Sequence, residues 1–302
     1  MAVVQNIYTF VHKVMLFESN LKKYEFHQRN IYKYASKISL NYFKGKKLRK
    51  FLRSILVPVD YVRVVELPLA LSLIDLKPNE KALDVSSPKI ISLYLAKLGG
   101  IINVIDILEH EIKFCRFHAE REKINNNINA IVGDVRTLSF LDEEFDVVYS
   151  ISVLEHVYPD ISGDIIAIRE MSRVLKPGGR MVFTVPYTKK ARVEYKMGTV
   201  YERQADKKEK VFFQRWYDRT TLQDHLIKAS GLKAKVIYYI GEKVFIDNPK
   251  KRLFMYINNG SWADLIFGRF YKFIAKRCFE ISDREDVLKK PYIACCLLVK
   301  EK

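Results

Sequence analysis

Apolar positions between residues 81 and 106 change rhythm twice. Residues 81–85 form a short apolar run broken by Asp84, the length of a buried strand. Ile91, Leu95 and Leu98 then recur at helical spacing, and Gly99-Gly100 closes that helix, because glycine takes the left-handed cap without a steric penalty. A second apolar run, 101–105, ends on Asp106. Between strand and helix, Ser87 offers a hydroxyl as N-cap and Pro88 suits the first helical position, where its missing N–H costs nothing. The pattern predicts a βαβ unit with a right-handed crossover. Its first loop and the end of its second strand meet at one edge, where a helix N-terminus points backbone donors at a ligand.

The same two rhythms run through the rest of the chain. Ile7, Phe10, Val11 and Val14, then Phe26, Tyr34, Ile38 and Tyr42, predict N-terminal helices over 5–19 and about 26–43. A helix is expected at 69–76. After Asp106 come a helix at 108–123, a strand at 128–132, a strand at 144–150 and a helix at 161–175. Lys176-Pro177-Gly178-Gly179 stops that helix, and a strand follows at 180–185. A helix at 220–229, capped by Thr220 or Thr221, and strands at 233–240 and 292–299 complete the pattern. The stretch 241–291 is long for a strand-to-strand connection. Four regions result: a basic helical extension or lid over 1–70, a core over 71–240, an insertion over 241–291, and a last strand over 292–302.

Charge separates these regions. The chain carries a net +17 over 302 residues, with 12 basic against 3 acidic side chains in 1–60, 14 against 18 in 61–185, and 26 against 14 in 186–302. A mildly acidic core between basic flanks fits an anionic partner touched by the flanks, or plain lysine-rich solubility. Within the insertion, residues 262–277 project apolar side chains to one side and Arg269, Lys272, Lys276 and Arg277 to the other. Such a helix suits an acidic membrane surface, a cover over a pocket, a dimer contact, or packing on its own domain. No apolar run reaches the roughly 18–20 residues that span a bilayer. The N-terminal stretch is interrupted by His12 and Lys13 and lacks a small-residue cleavage site, which reads against a signal peptide. The four cysteines, Cys115, Cys278, Cys295 and Cys296, form no C-x-x-C pair. They read as buried free thiols in a reducing, cytoplasmic setting.

The runs FDVVYSISVLEHV and REMSRVLKPGGRMVFTVP, with Gly133-Asp134 upstream, resemble the fourth and fifth strand segments of class I S-adenosylmethionine-dependent methyltransferases, in the small-molecule, type 11-like group. The resemblance covers about residues 75–186. It implies an α/β, Rossmann-like, doubly wound sheet of seven strands, mostly parallel, with the last strand antiparallel beside the fifth. It also implies S-adenosyl-L-methionine as cofactor. The first motif departs from the family: Asp84-Val85-Ser86-Ser87-Pro88-Lys89-Ile90 stands where the family writes Asp-x-Gly-x-Gly-x-Gly. Those glycines let backbone approach the cofactor closely.

The resemblance assigns the cofactor residues. Asp106, 22 positions past Asp84, would accept from the ribose hydroxyls, as an acid about 20 residues on does in dinucleotide folds. Asp134 and the Val135 backbone would read the adenine. Ser150 and Ile151 would lie under the methionine part, Asp84 at its amine end, and Ser86 and Ser87 along the loop. Arg63 can hold a carboxylate with its planar guanidinium, or pair with Glu66 at the surface. A nucleoside across these strand ends needs an open cleft, so Pro88 or Lys89 filling it would exclude the cofactor.

Glu155-His156 resembles part of the Glu-x-x-Glu-His metal site of related quinone-biosynthesis methyltransferases, but Ser152 stands at the first position. Two adjacent groups make a weak site, and no metal is expected. His156 is either the general base or a histidine at a helix start. Tyr187, Gln214, Arg215 and Tyr217 fall where acceptor-binding insertions occur in such folds, or pack the following helix on the sheet. The leading expectation is methylation of a hydroxyl or amine on a small molecule, with a sugar or lipid-linked acceptor suggested. The basic flanks raise RNA as a substrate, but no Asn-Pro-Pro-Tyr-type motif or RNA-binding module is present. The missing glycines raise a third reading, a binding protein that kept the fold and lost the cofactor.

Overall fold

A computed structural model describes residues 2–41, 56–243 and 268–302. The basic patch at 44–53 and the first part of the cationic helix, 262–267, lie outside the described residues. One helix, α1 (Ala2–Asn41), replaces the two expected at the N-terminus. Ile31, Tyr34, Ala35 and Ile38 are buried on it at helical spacing. The Tyr34 hydroxyl donates to the Leu93 carbonyl at 3.2 Å, and Lys37 pairs with Glu122 at 2.8 Å. The next helix, α2 (Arg63–Ile74), begins six residues before the expected start and carries Pro68 inside it. It is buried along almost its whole length, so packing overrides the backbone hydrogen bond that proline forfeits.

The βαβ unit forms as β1 (Lys81–Val85), α3 (Ile90–Lys97) and β2 (Ile101–Asp106). Then follow α4 (Glu109–Arg121), β3 (Ile128–Val132), β4 (Phe145–Ile151), α5 (Gly163–Arg173) and β5 (Leu175–Pro186). The strand β5 takes in the whole Lys-Pro-Gly-Gly turn, because β4 and β5 shift register between Phe145 and Val147 and absorb it. β6 (Arg192–Met197) and β7 (Lys210–Trp216) make a separate antiparallel hairpin that the sequence pattern missed. The helical segment α6 runs from Arg219–Thr221 into a π-helical Leu222–Lys228. Asp218 caps it, accepting the Thr221 N–H; Thr221 serves as the reciprocal partner rather than the cap. β8 (Lys233–Glu242), α7 (Tyr271–Cys278), β9 (Phe279–Ser282) and β10 (Lys290–Val299) complete the described chain.

The main sheet has the order β3-β2-β1-β4-β5-β10-β8-β9. β1 to β5 are parallel, and β10 lies antiparallel between β5 and β8. That is the doubly wound arrangement, with eight strands instead of seven because β9 pairs onto the β8 edge. Alternation along the strands feeds two cores, one on each face. Ala82, Val104 and Cys295 belong to the α1–α2–α3 side, and Leu83, Ile105 and Cys296 to the α5–α6 side. Adjacent Cys295 and Cys296 are therefore buried on opposite faces. Among the described residues, no helix is long and apolar enough to cross a membrane.

Candidate active site

A cavity of about 400 Å³ opens over the carboxyl ends of β1, β2, β3 and β4, with Ser86, Asp106, Gly133 and Ile151 in its wall. Strand ends beside a reversal of strand order are where open α/β sheets bind ligands. The size suits a small molecule.

The loop after β1 is closed on itself. Ser86 stands at the first glycine position with φ +56°, a conformation that costs an L-residue what glycine adopts freely. Its N–H donates to the Ile105 carbonyl at 2.8 Å. The Ser87 N–H donates to Asp84 at 2.9 Å, and Pro88 has no N–H. The three residues therefore aim no backbone donor into the cavity. Ser87 does not cap α3, which starts at Ile90 without a side-chain cap; its Oγ accepts the Ile151 N–H at 3.0 Å instead. Asp84 is fully buried, takes a further hydrogen bond from Ser92, and has its pKa raised by burial. It supports the turn and is absent from the cavity wall. Ser150 is likewise buried, donating to the Val85 carbonyl at 3.1 Å.

Asp106 lies at the cavity with both oxygens engaged. Oδ1 accepts the Leu108 N–H at 2.9 Å, and Oδ2 accepts the Lys89 ammonium at 2.5 Å. Lys89 also donates to the Ser87 carbonyl at 2.8 Å and is 3% exposed. The lysine lies along the cleft wall, and about 400 Å³ stays open beside it. At the neighbouring strand end, Asp134 accepts the Arg136 N–H at 2.9 Å and its Nε at 3.0 Å. Burial acts to raise the Asp134 pKa, but Arg136 outweighs it and holds the carboxyl below its ordinary value. A Cβ on Gly133 would meet Ile105 Cδ1 at 2.6 Å, so this corner accepts only glycine without movement. Val135, Ile107 and Leu108 add apolar wall.

Arg63 reaches the cavity from the start of α2 and pairs with Glu66. Glu66 is fully buried, not at the surface, and also accepts the Ser152 hydroxyl at 2.6 Å. His156 lines the same cavity. Its Nδ1 lies 2.7 Å from the Phe213 carbonyl, which can only accept, so Nδ1 carries the proton and Nε2 presents a lone pair. The Tyr201 hydroxyl is 3.3 Å from Nε2. Burial pushes the His156 pKa down to about 4, so the ring is neutral at neutral pH. Behind it, Glu155 is 2% exposed, and burial raises its pKa to about 8.

The four residues expected to bind the acceptor are used elsewhere. Arg215 is buried and donates to the carbonyls of Val157 and Asp160 at 2.9 and 3.0 Å. Tyr217 donates to Asp164 at 2.8 Å, Gln214 to Glu194 at 2.7 Å, and the Tyr187 ring packs at a 58° tilt against Tyr239. None lines the cavity; Gln214 and Arg215 lie on β7 of the hairpin, and Tyr187 bridges to Tyr217 just past its end. Residues the sequence pattern did not single out also line it: Ile107, Leu108, Arg136, Tyr201 and Glu202. Arg136 carried a local signal, a base two residues after an acid in a loop. Tyr201 carried none.

A family described as "Methyltransferase domain" matches residues 83–183. The chain is 34% identical over 109 residues to a demethylmenaquinone methyltransferase of Corynebacterium efficiens, covering 36% of this chain and 42% of that protein. It is 33% identical over 95 residues to a ubiquinone biosynthesis O-methyltransferase of Coxiella burnetii, covering 32% of this chain and 38% of that one. It thus spans less than half the length of each. Among solved structures, the [4+2]-cyclase SpnF superposes with a TM-score of 0.50 at 19% identity, covering 77% of this chain and 79% of the other. The sheet order, the cavity at its strand ends and the matched segment agree: residues 83–183 match a methyltransferase domain, set in a Rossmann-like, doubly wound fold.

Proposed function

We propose that the chain transfers a methyl group from S-adenosylmethionine to a hydroxyl or amine of a small-molecule acceptor. The observation that carries the reading is one cavity with Asp106 and His156 both in its wall. The cavity fits the cofactor at two places. Asp134 and the Val135 backbone, beside apolar Ile107 and Leu108, suit an adenine, and Arg63 suits a carboxylate. Asp106 suits the ribose hydroxyls but already holds Lys89.

When bound, the cofactor supplies a methyl carbon made electrophilic by a sulfonium. The protein's part is alignment of an acceptor lone pair at about 3 Å and in line, and removal of the acceptor's proton. Neutral His156, its tautomer fixed by the Phe213 carbonyl, accepts that proton at Nε2. A pKa near 4 makes it a weak base, suited to taking a proton late, from a hydroxyl oxygen made strongly acidic as it bonds the methyl carbon. The name of one relative, a ubiquinone biosynthesis O-methyltransferase, supports an oxygen acceptor ahead of an amine. Exposed Phe270 and Phe273 beside exposed Lys276 and Arg277 support contact with an acidic membrane surface, where apolar acceptors reside. Sedimentation with anionic against neutral vesicles tests that contact.

Thermal melting and calorimetry with S-adenosylmethionine and its demethylated product test the main reading. At ligand a hundredfold above Kd, stability rises by about 2.7 kcal/mol, and Asp106→Ala removes the gain. An unchanged melting temperature for the wild type at millimolar ligand would retire the enzyme. The closed loop after β1 and the Lys89–Asp106 pair would then favour the second reading, a binding protein on this fold.

A further inference from the structure

We infer that Lys89 is a built-in competitor for the ribose: its ammonium occupies the carboxylate of Asp106, and a nucleoside gains that carboxylate only by displacing it. The inference rests on the cavity being the cofactor site. Three observations converge on it. The pair is short, 2.5 Å, and almost fully buried, with side-chain exposures of 2% and 6%. Lys89 is anchored a second time, on the Ser87 carbonyl at 2.8 Å. The other oxygen of Asp106 accepts the Leu108 N–H, so each carboxylate oxygen is already engaged, and Oδ2 by a charge.

The sequence explains why the lysine comes to lie there. With Ser86, Pro88 and Ile90 in place of three glycines, the loop turns back on β2 and α3 starts only at Ile90. Lys89 is the last residue before the helix, directed to the end of β2. A loop of glycines presents N–H groups to a ligand; this loop presents one ammonium to its own acid. A ligand must compete with a desolvated ion pair, and separating such a pair leaves an uncompensated buried charge. Affinity is lowered by the fraction of molecules in which the pair is open. The lysine therefore sets cofactor affinity without touching the reacting atoms.

Calorimetric titration of S-adenosylmethionine and of its demethylated product, on the full chain, tests this. Lys89→Met removes the ammonium at similar volume. Lys89→Gln keeps a neutral donor for Asp106 and guards against failure of the first variant to fold. Lys89→Arg retains the charge. The expected result is a Kd at least tenfold tighter in Lys89→Met or Lys89→Gln, with Lys89→Arg no tighter than wild type. Wild-type binding with equal or weaker binding in both neutral variants overturns the inference and leaves the cofactor site standing. Absence of binding in wild type and in folded neutral variants at millimolar ligand overturns both.

Discussion

The two ends of the cavity treat their charges in opposite ways. At the end proposed for the nucleoside, Asp106 carries Lys89 and Asp134 carries Arg136. Behind the wall of the end proposed for the acceptor, polar groups are left with less. Among the described residues, Glu155 Oε2 and all three guanidinium nitrogens of Arg203 have no hydrogen-bond partner. Arg203 lies over the rings of Tyr158 and Phe212, 3.7 Å from Glu202. Self-paired groups stabilise the empty fold and must be opened by a ligand. Unpaired buried groups cost stability and persist where a site uses them. Under the proposed function, the difference teaches that the first end governs whether a ligand enters and the second what is done to it.

The largest expected effect tests whether the acceptor end is truly under-satisfied. Burial raises the Glu155 pKa to about 8, so between the unfolded value and about 8 the native state binds a proton that the unfolded chain has lost. Stability then falls as pH rises across that window, and the full cost is present above it. Glu155→Gln, which mimics the protonated acid, removes the slope. Urea denaturation at about pH 9 against about pH 5 is expected to show the variant gaining roughly 3–5 kcal/mol on the wild type, because each pH unit separating the folded and unfolded pKa is worth about 1.36 kcal/mol. A difference independent of pH would mean that Glu155 has a partner after all.

The next effect in size tests the chemistry assigned to that end. His156→Gln is expected to lower kcat by about a hundredfold or more while leaving the Kd for S-adenosylmethionine nearly unchanged. Because burial holds His156 down to about 4, the wild-type rate stays flat from neutral pH down to that region and falls only as the ring gains its proton. Loss of cofactor affinity in the variant would move His156 to the nucleoside end and dissolve the contrast.

How much of this was legible in the sequence follows the same division. The nucleoside half is local. Strand, helix and strand follow one another within 26 residues, so Asp106 at the end of β2 and Gly133-Asp134 after β3 could be read from spacing, while the order of the whole sheet came from the family resemblance. Even there, charge pairing stayed hidden: nothing in Ser-Ser-Pro-Lys says that Lys89 turns inward. The other half depends on a hairpin whose outer strand, Arg192–Met197, is mostly exposed and half charged; Val193, Tyr195 and Met197 do alternate with Arg192, Glu194 and Lys196, a strand signal masked by the high charge of the segment around it. Arg215 looked like a ligand-binding guanidinium because its burial against four carbonyls, from Glu155 to Asp160, is a tertiary fact. β9 was missed because it is a four-residue edge strand inside the stretch read as an insertion.

The smallest expected effect asks whether Tyr201 belongs to the acceptor end or merely covers it. Its hydroxyl stands 3.3 Å from His156 Nε2, and its ring stacks on Phe213 at an interplanar angle of 13°. Burial raises its pKa to about 12, so it remains a neutral donor and cannot itself be the base. Tyr201→Phe keeps the stacked ring and deletes one neutral hydrogen bond, a change of about 0.5–1.5 kcal/mol. If the hydroxyl orients Nε2 during proton transfer, kcat falls a few-fold with the acceptor KM unchanged. If the hydroxyl only occupies Nε2 in the resting state, as Lys89 occupies Asp106, the variant is faster by a similar factor, because the lone pair is already free. Steady-state kinetics with the sign of the change read from kcat separates the two, and an increase would mean that both ends of the cavity are closed by the same device.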